Sequence, residues 1–204
     1  VTPEPAPARR MRVREDPAVR RQAILDSAAT LFARRGYADT TVRHIADDAE
    51  IQSGSLYHYF ASKDALLEAV LREFLADLAA ATEAIVGADA PPRQRVGDLV
   101  RHALGLIAER PAWVLTYQNE FLRLVGQPGF EFVAEQSAAI EAAWVRALTE
   151  SADAGDFAVD VPVDVRYRLV RDATWTAVRW YRADEAADAA ALAEQYLAVF
   201  YGTH

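Results

Sequence analysis

From residue 17 onward apolar positions recur with a helical period, and short polar or glycine-bearing breaks divide the pattern into segments. Pro17 opens a first helix whose Ile24, Ala28, Leu31 and Phe32 share one face, and Gly36 closes it as a C-terminal cap. Thr40 or Thr41 caps a short second stripe of Val42, Ile45, Ala46 and Ala49. Ser53 is placed to cap a third helix running through Tyr59, and Ser62 a fourth from Lys63 to about Val86. Three short helices followed by a long one is the layout of a helix-turn-helix head joined to a body.

The rest of the chain shows only helical periodicity. Pro91 and Pro92 begin a segment to about Glu109, Pro111 begins WVLTYQNEFLRLV, and QPG at 127–129 breaks the chain before FEFVAEQSAAIEAAWVRALTESA. AGDFAVDVPVD reads as a loop, followed by helices over residues 163–182 and 185–201. No β-alternation of useful length occurs, so the expected fold is all-α. Residues 1–16 form an arm, residues 17–62 the head and residues 63–204 the body.

Composition narrows the class. The chain has 204 residues, 52% of them apolar and 25% charged, which is ordinary globular usage. No run of about 18 uncharged apolar residues exists to span a bilayer, so no membrane partner is expected. No apolar leader follows the N-terminal arginines, which makes the cytoplasm the expected location. The absence of cysteine excludes disulfides, thiolate metal sites and a cysteine nucleophile. Among the four histidines, His44, His58, His102 and His204, no two stand at metal-pair spacing, the carboxylates that follow His44 on the short second helix read as solvated, and GxSxG, HExxH and Gly-rich phosphate loops are missing. Neither an enzyme nor a bound cofactor or metal is expected.

The net charge of −8 is unevenly divided. Residues 1–63 carry ten Lys and Arg against eight Asp and Glu, a balance of +2, and residues 64–204 twelve against twenty-two, a balance of −10. Only the first third suits a polyanion. Arg9, Arg10, Arg12 and Arg14 crowd the Pro- and Ala-rich arm, which reads either as a solvated tail or as a contact to the minor groove or to phosphates.

The stretch SGSLYHYFASK at 53–63 divides by helical face. Leu56 and Phe60, four residues apart, anchor the third helix with Ile51 against Ile45 and Leu31. Ser53, Gly54, Ser55, Tyr57, His58 and Tyr59 are left facing away. Small residues let a helix N-terminus approach the major groove, and hydroxyls, imidazole and phenol rings meet base edges there. Thr41, Tyr59 and Lys63, at the flanks, suit phosphate oxygens. On these eleven residues alone, a packed turn in a helical bundle is the other reading.

A wider set of positions bears on that choice. GY at 36–37, TTVRHIADDAEI, GSLY, FASK and the following leucines resemble the TetR family of bacterial repressors over residues 23–71. The resemblance implies a homodimer whose heads read successive major grooves of a palindromic double-stranded operator, with the fourth helix as lever and a body that binds an effector and dimerises through its last two helices. It also implies operator contacts by Thr41, Ser53, Gly54, Ser55, Tyr57, His58, Tyr59 and Lys63, with His58 the discriminating residue, and a less fixed role for Arg43.

In the body, Trp113, Tyr117, Phe121 and Leu124 form a stripe, more often a core than a ligand box. On the next-to-last helix Arg168, Arg171, Trp175, Arg179 and Arg182 fall in one sector, with Leu169, Ala173, Thr176 and Trp180 on the other side. Two readings of the row stand: an anion with an apolar portion bound by forked guanidinium groups beside an indole, or solvent-facing arginines paired with Asp164, Asp172 and Asp184 or with a partner subunit. Tyr117, Gln118 and Arg123 are further candidates from geometry.

YQNEFLRLVGQPGF, VDVRYRLVRDATWTAVRWYR and QYLAVF resemble the actinobacterial repressors of steroid catabolism. That resemblance implies Arg171 and Trp175 as ligand contacts and, as effector, the coenzyme A thioester of a partly degraded steroid, a hexahydroindanedione propionate. It departs from those relatives in the long basic arm and in ADEAADAA after Tyr181. A regulator sensing a fatty or aromatic acyl-CoA, a helical acyl-CoA enzyme and a nucleoid-structuring protein are the competing readings.

Overall fold

The structure is a computed structural model that describes residues 16–181 and 188–202. The arginine-bearing arm, Arg182, Asp184 and the start expected for the last helix lie outside the described residues. Among those described, all regular structure is helical.

The head comprises α1 (Pro17–Arg35), α2 (Val42–Asp48) and α3 (Ser53–Leu56). Asp16 caps α1 by accepting from the Ala18 N–H, and Gly36, at φ +81°, turns the chain out of it. Thr41 caps α2 through a reciprocal pair: its hydroxyl accepts from the His44 N–H at 3.1 Å, and its own N–H donates to His44 Nδ1 at 3.3 Å. An imidazole thus fills the place that Glu or Gln takes in a capping box. Between α2 and α3, Glu50 has φ +54°, a left-handed conformation rare for a side-chain-bearing residue.

α3 is shorter than its pattern predicts, and Ser53 is its first residue rather than its cap; Gln52 holds the cap position without a side-chain bond. After Leu56 the chain tightens, with the N–H groups of His58 and Tyr59 bonding to carbonyls three residues back, so Tyr57 to Tyr59 form a turn. The core of the head is as the periodicity predicts: Ile24, Leu31, Ile45, Leu56 and Phe60 are buried, with Ile51 packed against them. Truncating the fully enclosed Leu56 to alanine is expected to cost about 2–5 kcal/mol.

The body comprises α4 (Lys63–Val86), capped by Ser62, then α5 (Pro92–Glu109), α6 (Pro111–Leu124), α7 (Glu131–Asp153), α8 (Val163–Thr176) and α9 (Ala189–Tyr201). α4 packs most extensively on α7, and α5 on α7 and α9. α6 lies along α1 and ties body to head: the Trp113 indole donates to Asp26 Oδ1 at 3.0 Å, and the Thr116 hydroxyl to the Ala29 carbonyl at 3.0 Å.

The helix expected over 163–182 ends at Thr176 and tightens into a 3-10 turn, Ala177–Arg179. Gln118 of α6 donates to the Trp175 carbonyl at 2.9 Å, offering that carbonyl a partner from outside the helix, and β-branched Thr174, Thr176 and Val178 weaken the helix locally. The break buries Ala177, Val178 and Tyr181 and leaves Trp180 outside. The inward side of α8 is therefore Arg166, Tyr167, Val170 and Thr174, neither of the two faces read from the sequence. Val165, Leu169 and Trp180, with Val199 of α9, are exposed apolar groups near the C-terminal end of the chain.

Candidate operator interface and ligand cavity

In the head, burial of Leu56 and Phe60 leaves the other side of the stretch open. Gly54, Ser55, Tyr57, His58 and Tyr59 are exposed and Ser53 is half-buried, with Tyr57 at 55% exposure. They stand on α3 and the turn after it, a surface whose polar groups point away from the protein. Thr41 is exposed at the start of α2 with its hydroxyl engaged in the cap, and Arg43 is exposed and loosely paired with Asp47, 3.8 Å away.

Lys63 is held differently from the phosphate contact expected of it. Its ammonium donates to the carbonyls of Tyr37 (2.7 Å), Ala38 (3.3 Å) and Thr40 (2.8 Å) and lies over the Tyr37 ring. Three donors meet three carbonyls, so the lysine clamps the α1–α2 turn. The Tyr37 hydroxyl in turn donates to Asp64, and burial, with that carboxylate next, pushes the phenol up to about 12. Arg123, a candidate ligand contact, reaches this junction instead: it stacks on the Tyr37 ring and pairs with the buried Glu120 at 2.6 Å.

The body holds a half-open cavity of about 510 Å³ between α4, α6, α7 and α8. Five candidate residues line it: Tyr117 and Gln118 from α6, Arg171 and Trp175 from α8, and Arg179 from the 3-10 turn. Arg168 is exposed on α8. The aromatic stripe of α6 divides, Trp113 and Leu124 entering the core while Tyr117 and Phe121 face the cavity. Inside, Tyr117 Oη and Ser137 Oγ are 2.9 Å apart, and burial raises the Tyr117 phenol above its ordinary range. Tyr167 is pushed up to about 12 by burial and then by the nearby Glu141 carboxylate. Neutral hydroxyls and apolar side chains, with the guanidinium groups of Arg171 and Arg179 on the same lining, suit an apolar group carrying a polar or anionic end.

Ser137, Glu141 and Tyr167 escaped the sequence reading, whereas Asp172, expected there as a partner of the arginine row, does pair with Arg171 at 2.8 Å. Ser137, Ile140, Glu141 and Trp144 do follow helical spacing along α7, and a serine and a glutamate inside an apolar stripe are the signal that marks them. Among the described residues no group of three His, Asp or Glu is arranged to hold a metal ion, and no helix is long and apolar enough to cross a membrane.

A three-helix head with an open third-helix surface, carried on a helical body with a ligand-sized cavity, is the architecture of a one-component transcriptional regulator. Residues 24–70 match the bacterial regulatory proteins of the tetR family and residues 89–203 the Tetracyclin repressor-like C-terminal domain, so the chain belongs to the TetR family. Within it the chain is similar to the HTH-type transcriptional repressor KstR2 of Mycobacterium tuberculosis (strain ATCC 25618 / H37Rv), at 42% identity over 183 residues, 90% of this chain and 92% of KstR2. The solved structure of the ketosteroid transcriptional regulator KstR2 of Mycobacterium tuberculosis matches with a TM-score of 0.83 at 40% identity, over 92% of this chain and 94% of that one. AibR, solved in complex with isovaleryl coenzyme A and operator DNA, shares the fold at 21% identity, with a TM-score of 0.78 over 89% of this chain and 98% of AibR. The chain is a TetR-type transcriptional repressor similar to the KstR2 repressors, and not an enzyme.

Proposed function

We propose that this repressor controls genes of steroid ring degradation and leaves a palindromic operator when a steroid-derived acyl-CoA enters the α4–α8 cavity. The observation that carries the reading is the placing of Arg171 and Trp175 together on a cavity that is also lined by Leu78, Phe121, Ile140 and Trp144. The apolar side chains suit the acyl group, the Arg171 guanidinium suits the phosphates of coenzyme A, and the Trp175 indole offers a flat apolar face beside it. Similarity to KstR2 along nine-tenths of the chain supports the steroid assignment.

The protein acts as a homodimer in the cytoplasm, with Val165, Leu169, Trp180 and Val199 as the apolar surface for a second copy. Ser53, Gly54, Ser55, Tyr57, His58 and Tyr59 meet base edges and backbone in each half-site, with Thr41 and Arg43 beside them. The effector shifts the population toward a conformation in which the two heads no longer match groove spacing. α6 is suited to transmit that change, since Tyr117, Gln118 and Phe121 line the cavity while Trp113, Thr116 and Arg123 touch the head.

The test is release of promoter DNA by a panel of coenzyme A thioesters in a mobility-shift titration. A bicyclic steroid-derived propionyl thioester should release the operator at the lowest concentration. Release by fatty or aromatic thioesters alone would move the effector to another lipophilic acyl-CoA, and equal thioester affinity with and without operator would sink the mechanism, because linkage requires reciprocity.

A further inference from the structure

The charges around the cavity are balanced before any ligand enters. Arg171 and Arg179 give its lining two positive charges, and Glu141 and Asp172 two negative ones. The opening is therefore no positive funnel of the kind that concentrates anions.

The balance is also local. Asp172 Oδ1 lies 2.8 Å from both Nε and Nη2 of Arg171, while the guanidinium carbon stands 5.4 Å from the centre of the Tyr167 ring. Nε and Nη2 form the edge of arginine that grips a carboxylate or phosphate. The side chain of the next residue occupies that edge, and its bond is the first cause of the raised Arg171 pKa. Any anion reaching Arg171 has to displace a carboxylate already there.

We propose that Asp172 is a specificity-determining residue that acts as a built-in competitor for the Arg171 edge, so that a ligand offering only an anion does not fill the cavity. Glu141, on the facing α7, adds to the same barrier. A ligand then has to gain its affinity from apolar contacts in the interior. For a sensor of thioesters this is the needed property, since free coenzyme A presents the same phosphates without an acyl group. The inference rests on the cavity being the effector site; it does not depend on the effector's being a coenzyme A thioester.

The experiment compares the full chain with D172N, and with D172S as a second variant should the first be unstable, after thermal melting has shown each to be folded. Asp172 is 64% exposed, so neither change opens a hole in the core. Binding is followed by tryptophan fluorescence and calorimetry with pyrophosphate, free coenzyme A, octanoyl-CoA and the uncharged bicyclic ketone 1-indanone. Because exposed ion pairs are weak, the variants should bind pyrophosphate and free coenzyme A roughly three- to fivefold more tightly, with 1-indanone unchanged. Unchanged or weaker pyrophosphate binding overturns the proposal, and weaker binding would make Asp172 a support for Arg171. A gain for pyrophosphate while octanoyl-CoA binds neither protein upholds the role of Asp172 and removes fatty acyl-CoA as the effector.

Discussion

Arg123 of α6 lies over the ring of Tyr37, 4.6 Å from its centroid, joining the helix that lines the ligand cavity to the turn between α1 and α2. Lys63 stands 4.1 Å from the same centroid, so one phenol ring carries a body cation and the first residue of α4. Replacing Arg123 by alanine should lower stability by about 1.5–4 kcal/mol, since it removes the cation–π contact and leaves the buried Glu120 carboxylate without its partner. Operator affinity without effector should hold, while the loss of affinity on adding effector should shrink by up to about fivefold. Paired operator titrations with and without effector read the difference.

Tyr37 also gives the head an alkaline limit. Its phenol holds its proton more tightly in the folded chain than in the unfolded one, from 10.0 up to about 12. Its contribution is therefore complete below pH 10 and is lost as pH rises through the interval to about 12. Y37F should flatten the decline of the melting temperature between pH 9.5 and 11.5; an unchanged slope would place that decline elsewhere.

Glu50 occupies a left-handed position at φ +54° in the turn between α2 and α3. Such a conformation costs an L-residue roughly 1–2 kcal/mol, part of which glycine returns as extra freedom in the unfolded chain. E50G should stabilise the protein by about 0.5–1 kcal/mol in denaturant unfolding.

Lys63 separates a clamp from a phosphate contact. K63M should destabilise the chain by about 1.5–3 kcal/mol, since charged donors to three carbonyls are lost. The dependence of operator affinity on salt should keep its slope. A slope lower by about one would return the lysine to the DNA.

Leu169 is 60% exposed on α8 and Val199 79% exposed on α9, surfaces for which a second copy is the proposed cover. L169E should shift the protein toward monomer in sedimentation and weaken operator binding by about a hundredfold or more, as two linked half-site contacts become one.

The parts of the fold legible in the sequence are those written in local spacing. Leu56 and Phe60 sit four apart among polar neighbours, and both are buried. Ser62 before an apolar run marks the start of α4, and Pro17, Pro92 and Pro111 stand at the first positions of their helices. The rest depends on contacts between distant positions. α8 breaks where Gln118 takes a carbonyl 57 residues away, and no pattern within 163–182 announces it. Lys63 bonds carbonyls 23 to 26 residues earlier in the chain, which gives its ammonium a task the motif does not reveal. Arg123 shares a helix with cavity residues but lies toward the head, a distinction that needs the direction of α1 as well as the period of α6.

Lys63 is also the single lysine of the sequence, and its ammonium is held by three carbonyls of the α1–α2 turn. An amine-directed reagent therefore finds one ε-amino group, and reaction at it has to break its bonds to that turn. Its rate of modification is a clock for local opening of the head, available without introducing a label, and lysine acylation can alter this chain at one place alone, the joint between reader and lever.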